Sequence, residues 1–298
     1  MSEQVTEDPE IGGRAVLAPP AADLELREVT GPSAMGGGWR RSLDLLYLIA
    51  VTDFKKTYFD TVLGYVWSLF RPLLLFAVLL FVFTQIFRIG SDVPDYAVLL
   101  LLNIVVFGFF QEATLAAVYS VIGQEGVVRK TQFPRLVIPL ATALTALFNL
   151  GVNLIVVLAF LLAFGVMPMW TWLLAPLVLL VLTIMTTAVC LLVSSLYVRF
   201  RDVGIIWGVL VTTLFYATPV LYPISVAPEK FHNLILINPL TPIFIELRRL
   251  VIDPSAPGAL EAAGGWLHLL PALTIIVVTC VVSVWVFNRE APRIAEEL

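Results

Sequence analysis

Only 13% of this 298-residue chain is charged, and no lysine in it follows a glycine. The lysines are Lys55, Lys56, Lys130 and Lys230, preceded by Phe, Lys, Arg and Glu. That excludes a phosphate-cradling loop of the G-x-x-x-x-G-K-[ST] kind. Any ATP that drives this protein is therefore bound by another polypeptide. There are two cysteines, Cys190 and Cys280, both inside apolar runs, where a thiol behaves as a small hydrophobe rather than a metal ligand or half of a disulfide. No basic stripe exists, which removes nucleic acid as a partner. Dense acidic clusters that would hold a metal or a diphosphate are also lacking, and neither His232 nor His268 falls in the middle of an apolar run.

What the chain has is apolar sequence: 59% of it is hydrophobic, with a mean hydropathy of +0.95. A soluble domain is nearer half apolar and a quarter charged. Six runs stand out, at 64–87, 96–120, 136–165, 170–197, 203–223 and 266–287, each about the ~20 residues that cross a bilayer core. The expected fold class is an all-α membrane protein with six transmembrane helices. Residues 1–38 carry Glu3, Glu7, Asp8, Glu10, Asp23, Glu25 and Glu28 against Arg14 and Arg27, with Pro19-Pro20 and Gly36 to Gly38. They read as a disordered acidic cytoplasmic tail, leaving 39–298 as the membrane domain. Cations gather at Arg40, Arg41, Lys55 and Lys56, at Arg129, Lys130 and Arg135, at Arg199 and Arg201, and at Arg289 and Arg293. By the positive-inside rule that side is cytoplasmic, and so are both termini.

Four segments outside the simple spans are informative. Residues 39–58 place Trp39, Leu43, Leu46, Tyr47, Ala50 and Phe54 on one helical arc, the pattern of an amphipathic helix lying on the membrane. Trp67 and Arg71 share a face at the start of the first run, ahead of Pro72. Arg71 there either snorkels to headgroups or faces a wet path. Residues 123–135 set Arg129, Lys130 and Arg135 around Phe133-Pro134, either a solvated loop or a surface that docks in a partner's groove. The 224–258 stretch is too apolar for an ordinary loop. Thr241-Pro242 reads as a helix start and Asp253-Pro254 as a stop, with Asn238-Pro239 as a turn before them. The enclosed helix is ~15–18 Å long, half a bilayer core. This predicts a re-entrant external helical hairpin between the fifth and sixth spans, tolerated only against protein or water. In the second run Glu112 has no relay of titratable neighbours, which favours an interhelical hydrogen bond. Asp202 is positioned to cap the helix after it.

Taken in order, Leu63-Gly64, Trp67, Pro72-Leu73, Arg129-Lys130, Phe133-Pro134-Arg135, Arg201-Asp202, Thr218-Pro219-Val220, Tyr222-Pro223 and Asn238-Pro239 resemble the membrane subunit of an ABC-2 type exporter. The likeness is to the polysaccharide-exporting, Wzm-like permeases for O-antigen, teichoic acid or cell-wall galactan, and covers about 40–290. It implies a homodimer in the bacterial plasma membrane, joined by two copies of an ABC ATPase subunit that binds Mg-ATP. No cofactor belongs to this chain, which is not itself an enzyme. The implied cargo is a polysaccharide on a polyprenyl-diphosphate lipid, moved outward. By resemblance, 39–58 is the interface helix. Arg129, Lys130, Phe133, Pro134 and Arg135 couple to the ATPase, and Asn238, Pro239, Glu246 and Arg248 belong to an external gate. Flat aromatic faces suit a sugar polymer. The candidate channel residues are Tyr65, Trp67, Phe70, Phe109, Phe110, Phe215, Tyr216 and Tyr222, with Arg71 for the diphosphate. The alternatives are an ABC-2 exporter of small hydrophobic compounds and a secondary transporter, which would need inverted repeats and more mid-membrane acids.

Overall fold

A computed structural model of the chain describes residues 39–59, 64, 66–88, 93–124 and 134–290. The predicted acidic tail and residues 125–133 of the predicted coupling segment, Arg129, Lys130 and Phe133 among them, lie outside them, as does Tyr65. Every regular element described is helical. α1 spans Trp39–Phe59, and α2 spans Val66–Phe81 and ends in a π turn, Val82–Ile86. α3 is Tyr96–Gly123 and α4 is Val137–Ala163. A 3₁₀ turn at Trp170–Leu174 leads into α5, Ala175–Arg199, and α6 follows at Val203–Ala217. Three short helices come next: α7 Glu229–Ile237, α8 Thr241–Val251 and α9 Ala259–Ala262, before the long α10, Trp266–Glu290. Five of these segments, 66–86, 96–123, 137–163, 170–199 and 266–290, are long and apolar enough to cross a membrane.

α3 is the axis of the bundle. Its residues from Val98 to Phe107 are buried on all sides, walled by α2, α4, α5 and α6. Phe107 edges Phe215 of α6 at 5.2 Å between centroids and meets Phe244 of α8 at 6.4 Å. α2 and α10 lie outside this core, with Leu74, Val78 and Phe81 on one and Val277, Val281 and Trp285 on the other exposed. Apolar surface of that extent suits lipid or another chain. α4 ends in a Schellman motif: Gly165 takes φ +83°, its N–H reaches Leu162, and the Val166 N–H reaches Leu161. A side chain at that φ is strained, so glycine fits. α1 lies along α4. The Thr145 hydroxyl donates to the Ala50 carbonyl (3.2 Å), and Tyr47 and Phe54 both meet Phe148 edge-on. Of the predicted apolar arc, Ala50 is buried while Leu43 and Tyr47 stay largely exposed.

The fifth apolar run departs from the prediction of a full span. It yields the 15-residue α6, about 22 Å at 1.5 Å per residue, short of the ~30 Å core. Pro219 and Pro223 stop it, and Thr218 turns extended. The chain that follows is buried rather than released to the surface, so its carbonyls need donors. α3 supplies them. The Asn103 side-chain amide donates to the carbonyls of Pro219 (3.2 Å) and Val220 (3.1 Å), and the Tyr96 hydroxyl donates to that of Leu221 (2.7 Å).

α7 and α8 sit either side of Asn238-Pro239, where the turn was expected. Thr241 does not cap α8. Its hydroxyl donates back to the Ile235 carbonyl (2.7 Å), and Asn238 Oδ1 accepts from the Leu240 N–H instead (3.0 Å). Asp202 precedes α6 in helical conformation without a capping hydrogen bond. The last carbonyls of α8 are met from the 170–174 turn. Thr171 donates to Leu250 (2.6 Å) and the Trp172 indole to Val251 (3.0 Å). Asn103→Leu, which strands two buried carbonyls, is expected to cost ~2–6 kcal/mol. Thermal unfolding of the purified protein in detergent checks this, with Tyr96→Phe expected to cost less.

Candidate translocation path

Two cavities collect the aromatic and polar residues. The larger, about 920 Å³, opens between α2, α3 and α4. Its lining includes Trp67, Phe70, Arg71, Phe109 and Phe215 of the predicted channel residues. Trp67 and Phe70 are each 48% exposed and meet edge-on at 5.7 Å. Arg71 follows one turn after Trp67 on α2, so both face the same opening.

Polar groups share this wall. Gln111, Glu112, Asn153 and Ser68 line it too. Glu112 accepts a hydrogen bond from the Asn149 side-chain amide on α4, the interhelical pairing expected of a lone acid. Asn153 donates to the Asn149 carbonyl (2.8 Å). The legible signal was spacing. Asn149 and Asn153 are four apart in an otherwise apolar run, so they share one helix face.

The remaining predicted residues part company. Phe110 is 2% exposed and packs against Phe107 and Trp207 in the core rather than along the opening. Tyr216 is 62% exposed on the outer face of α6, edge-on to Phe215 at 5.3 Å. Tyr222 lines the second cavity, about 700 Å³, with Phe83, Phe231, Asn238 and Pro239. Its walls are almost wholly apolar. Asn238 also donates to the Thr218 hydroxyl (2.7 Å), tying the α7–α8 turn to the broken end of α6.

Glu246 and Arg248 line neither cavity. Glu246 Oε1 accepts from the Ala259 N–H (2.7 Å), holding the start of α9, while Gly258 donates to Glu261 (3.2 Å). A side chain at Gly258 would meet the Arg249 guanidinium, 2.2 Å from its Nη1. Burial lowers the pKa of Arg248, with Asp253 acting the other way. At the α1 end, Pro134 and Arg135 open α4, where the Val137 N–H reaches the Pro134 carbonyl (3.0 Å). Arg199 pairs with Glu290 at 3.5 Å, joining α5 to α10. Gly204 lets α6 start against Tyr119 and Tyr197. An added Cβ there would lie 2.9 Å from the Tyr119 hydroxyl.

Comparison with known proteins adds a family and relatives. Residues 44–251 match the model of the ABC-2 type transporter family. Two O-antigen export system permease proteins RfbA of Klebsiella pneumoniae are 30% and 31% identical over 256 residues, 86% of this chain and 95% of theirs. That of Myxococcus xanthus is 26% identical over 248 residues, 83% of this chain and 93% of its own. The wall and core positions separate by stability. Phe110→Ala is expected to cost ~3–5 kcal/mol and the exposed Phe70→Ala well under half of that, read by thermal unfolding in detergent.

Proposed function

We propose, from the premise that this chain belongs to the ABC-2 type transporter family, that it is the membrane permease of an ABC exporter of polysaccharide. The observation that carries the reading is the cavity of about 920 Å³ whose wall mixes Trp67 and Phe70 with Arg71, Gln111, Glu112 and Asn153. A sugar ring has apolar faces and a polar edge, and such a wall answers both. A site for small hydrophobic compounds would not need two opposite charges and two carboxamides.

In this reading the cargo is a polysaccharide on a polyprenyl-diphosphate lipid. Arg71 meets the diphosphate, as a guanidinium fits phosphate oxygens. Two copies of the chain face each other across the path, and the exposed apolar faces of α2 and α6 offer the surface for that pairing. α6 together with the buried 218–223 segment makes a sixth crossing. α7 and α8 form a hairpin that enters the bilayer from outside and returns, closing the path beside Asn238 and Pro239. Its backbone is suited to that depth because Thr171 and Trp172 satisfy the end of α8. Both termini then lie in the cytoplasm of a bacterial plasma membrane protein. Two ATPase subunits dock beneath α1 and the 124–135 segment, with Phe133 between its cations. The chain divides into an acidic tail at 1–38 and a membrane domain at 39–298.

Export is tested in proteoliposomes holding this chain and its ATPase subunit, with a lipid-linked polysaccharide inside reach of the nucleotide. ATP-dependent translocation is expected, and Arg71→Ala is expected to slow it about tenfold or more. Unchanged export by that variant would remove Arg71 from the path. Phe133→Asp is expected to release the ATPase subunit in a pull-down, and retained co-purification with normal turnover refutes the docking role. Cysteines placed at 231 and 255, both exposed positions, are expected to label from the outer face alone. Labelling from opposite faces would make the hairpin a crossing.

A further inference from the structure

Within the larger cavity, Glu112 is an acid that a bare path for sugars does not require. α3 is the buried axis of the bundle, with 78% of its apolar window inside the protein, yet Glu112 is exposed toward the cavity. Its anchor is well made. Asn149, itself 3% exposed, donates to one carboxylate oxygen, and Asn153 braces the Asn149 carbonyl from one turn further on. Arg71 lines the same cavity.

An ionised carboxylate accepts hydrogen bonds and donates none. Sugar hydroxyls are donors that match it, and Gln111, Asn153 and Ser68 add neutral partners along the wall. Uronates and phosphodiesters bring further negative charge instead. Glu112 and Arg71 are the two charges on this wall and sum to zero, so a neutral chain meets no net charge there. An anion drawn to Arg71 brings like charge toward Glu112, which is costly. A single diphosphate on the lipid meets that cost once. A polymer with an anion in each repeat meets it at every step.

We propose that Glu112, oriented by Asn149, is a specificity-determining residue that accepts hydroxyl hydrogen bonds from a neutral glycan and disfavours polyanionic ones. The inference rests on the export reading above and names the class of polysaccharide that the same site takes.

Proteoliposomes with the wild-type chain and its ATPase subunit are given two lipid-linked glycans of equal length, one neutral and one bearing uronates. The neutral glycan is expected to move about tenfold faster, the scale of one charge-assisted hydrogen bond. Glu112→Gln keeps an acceptor for Asn149 and is expected to bring the two rates together. Equal rates in the wild type, or an undiminished ratio in the variant, overturn the proposal. A second measurement needs neither transport nor a folded variant. Carbodiimide labelling of Glu112 in the purified wild-type protein is expected to slow with a neutral oligosaccharide and not with a uronate oligosaccharide. Equal labelling with the two sugars overturns the role of Glu112 whether or not export is seen. Selective protection without ATP-dependent movement of either glycan supports the role and counts against the export reading alone.

Discussion

Backbone carbonyls that have lost their helical partners govern how this bundle is put together. α6 stops at a Thr-Pro step while the chain is still buried, and α8 ends after only 11 residues. Each stranded carbonyl in an apolar surrounding costs roughly 1–3 kcal/mol unless a donor reaches it. Asn103 and Tyr96 answer the first break from the most buried helix, and Thr171 and Trp172 answer the second from the turn between α4 and α5. These contacts dictate where α3 must lie, because its side chains have to reach backbone more than a hundred residues later. The packing of Phe107 between Phe215 and Phe244 follows from that placement.

Much of the helical plan was legible because apolar run length is a strong signal in a membrane chain. The runs at 64–87, 96–120, 136–165, 170–197 and 266–287 match long helices within a few residues. The two short helices around Asn238-Pro239 were legible from proline and helix-start chemistry. What escaped was the fifth run. Residues 218–223 carry no charge, so hydropathy carried the span through a break that only proline geometry and tertiary donors explain. The capping role assigned to Thr241 failed for a related reason. A nearby carbonyl, that of Ile235, competes for its hydroxyl, and sequence spacing does not reveal which partner wins.

The site was legible in part. Aromatic residues at the start of the first run and the end of the fifth were drawn together at the larger cavity, since Trp67, Phe70 and Phe215 sit on facing helices. Phe109 and Phe110 show the limit. Both are 2% exposed and belong to the core, but adjacent residues point about 100° apart on a helix, so Phe109 also borders the opening while Phe110 turns to Trp207. In a helix buried nearly all round, periodicity does not say which. The polar wall was visible residue by residue, but the pairing of Glu112 with Asn149 joins positions 37 apart and depends on how α3 meets α4. Glu246 and Arg248, assigned to an external gate by resemblance, line neither cavity, and Glu246 accepts the hydrogen bond that starts α9.

The two ends of the α7–α8 pair are fastened differently. At its carboxyl end, α8 is riveted through main-chain oxygens by a threonine and a tryptophan from a rigid turn. At the bend, Asn238 holds Thr218 by a single amide-to-hydroxyl bond, and the neighbouring cavity is greasy and unfilled by polar atoms. Between them Phe244 is buried against Phe107, so α8 is seated in the core along its length. A pull on α6 therefore reaches the proline bend through one side-chain bond, that of Asn238 to Thr218, while the far end is tied by main-chain oxygens.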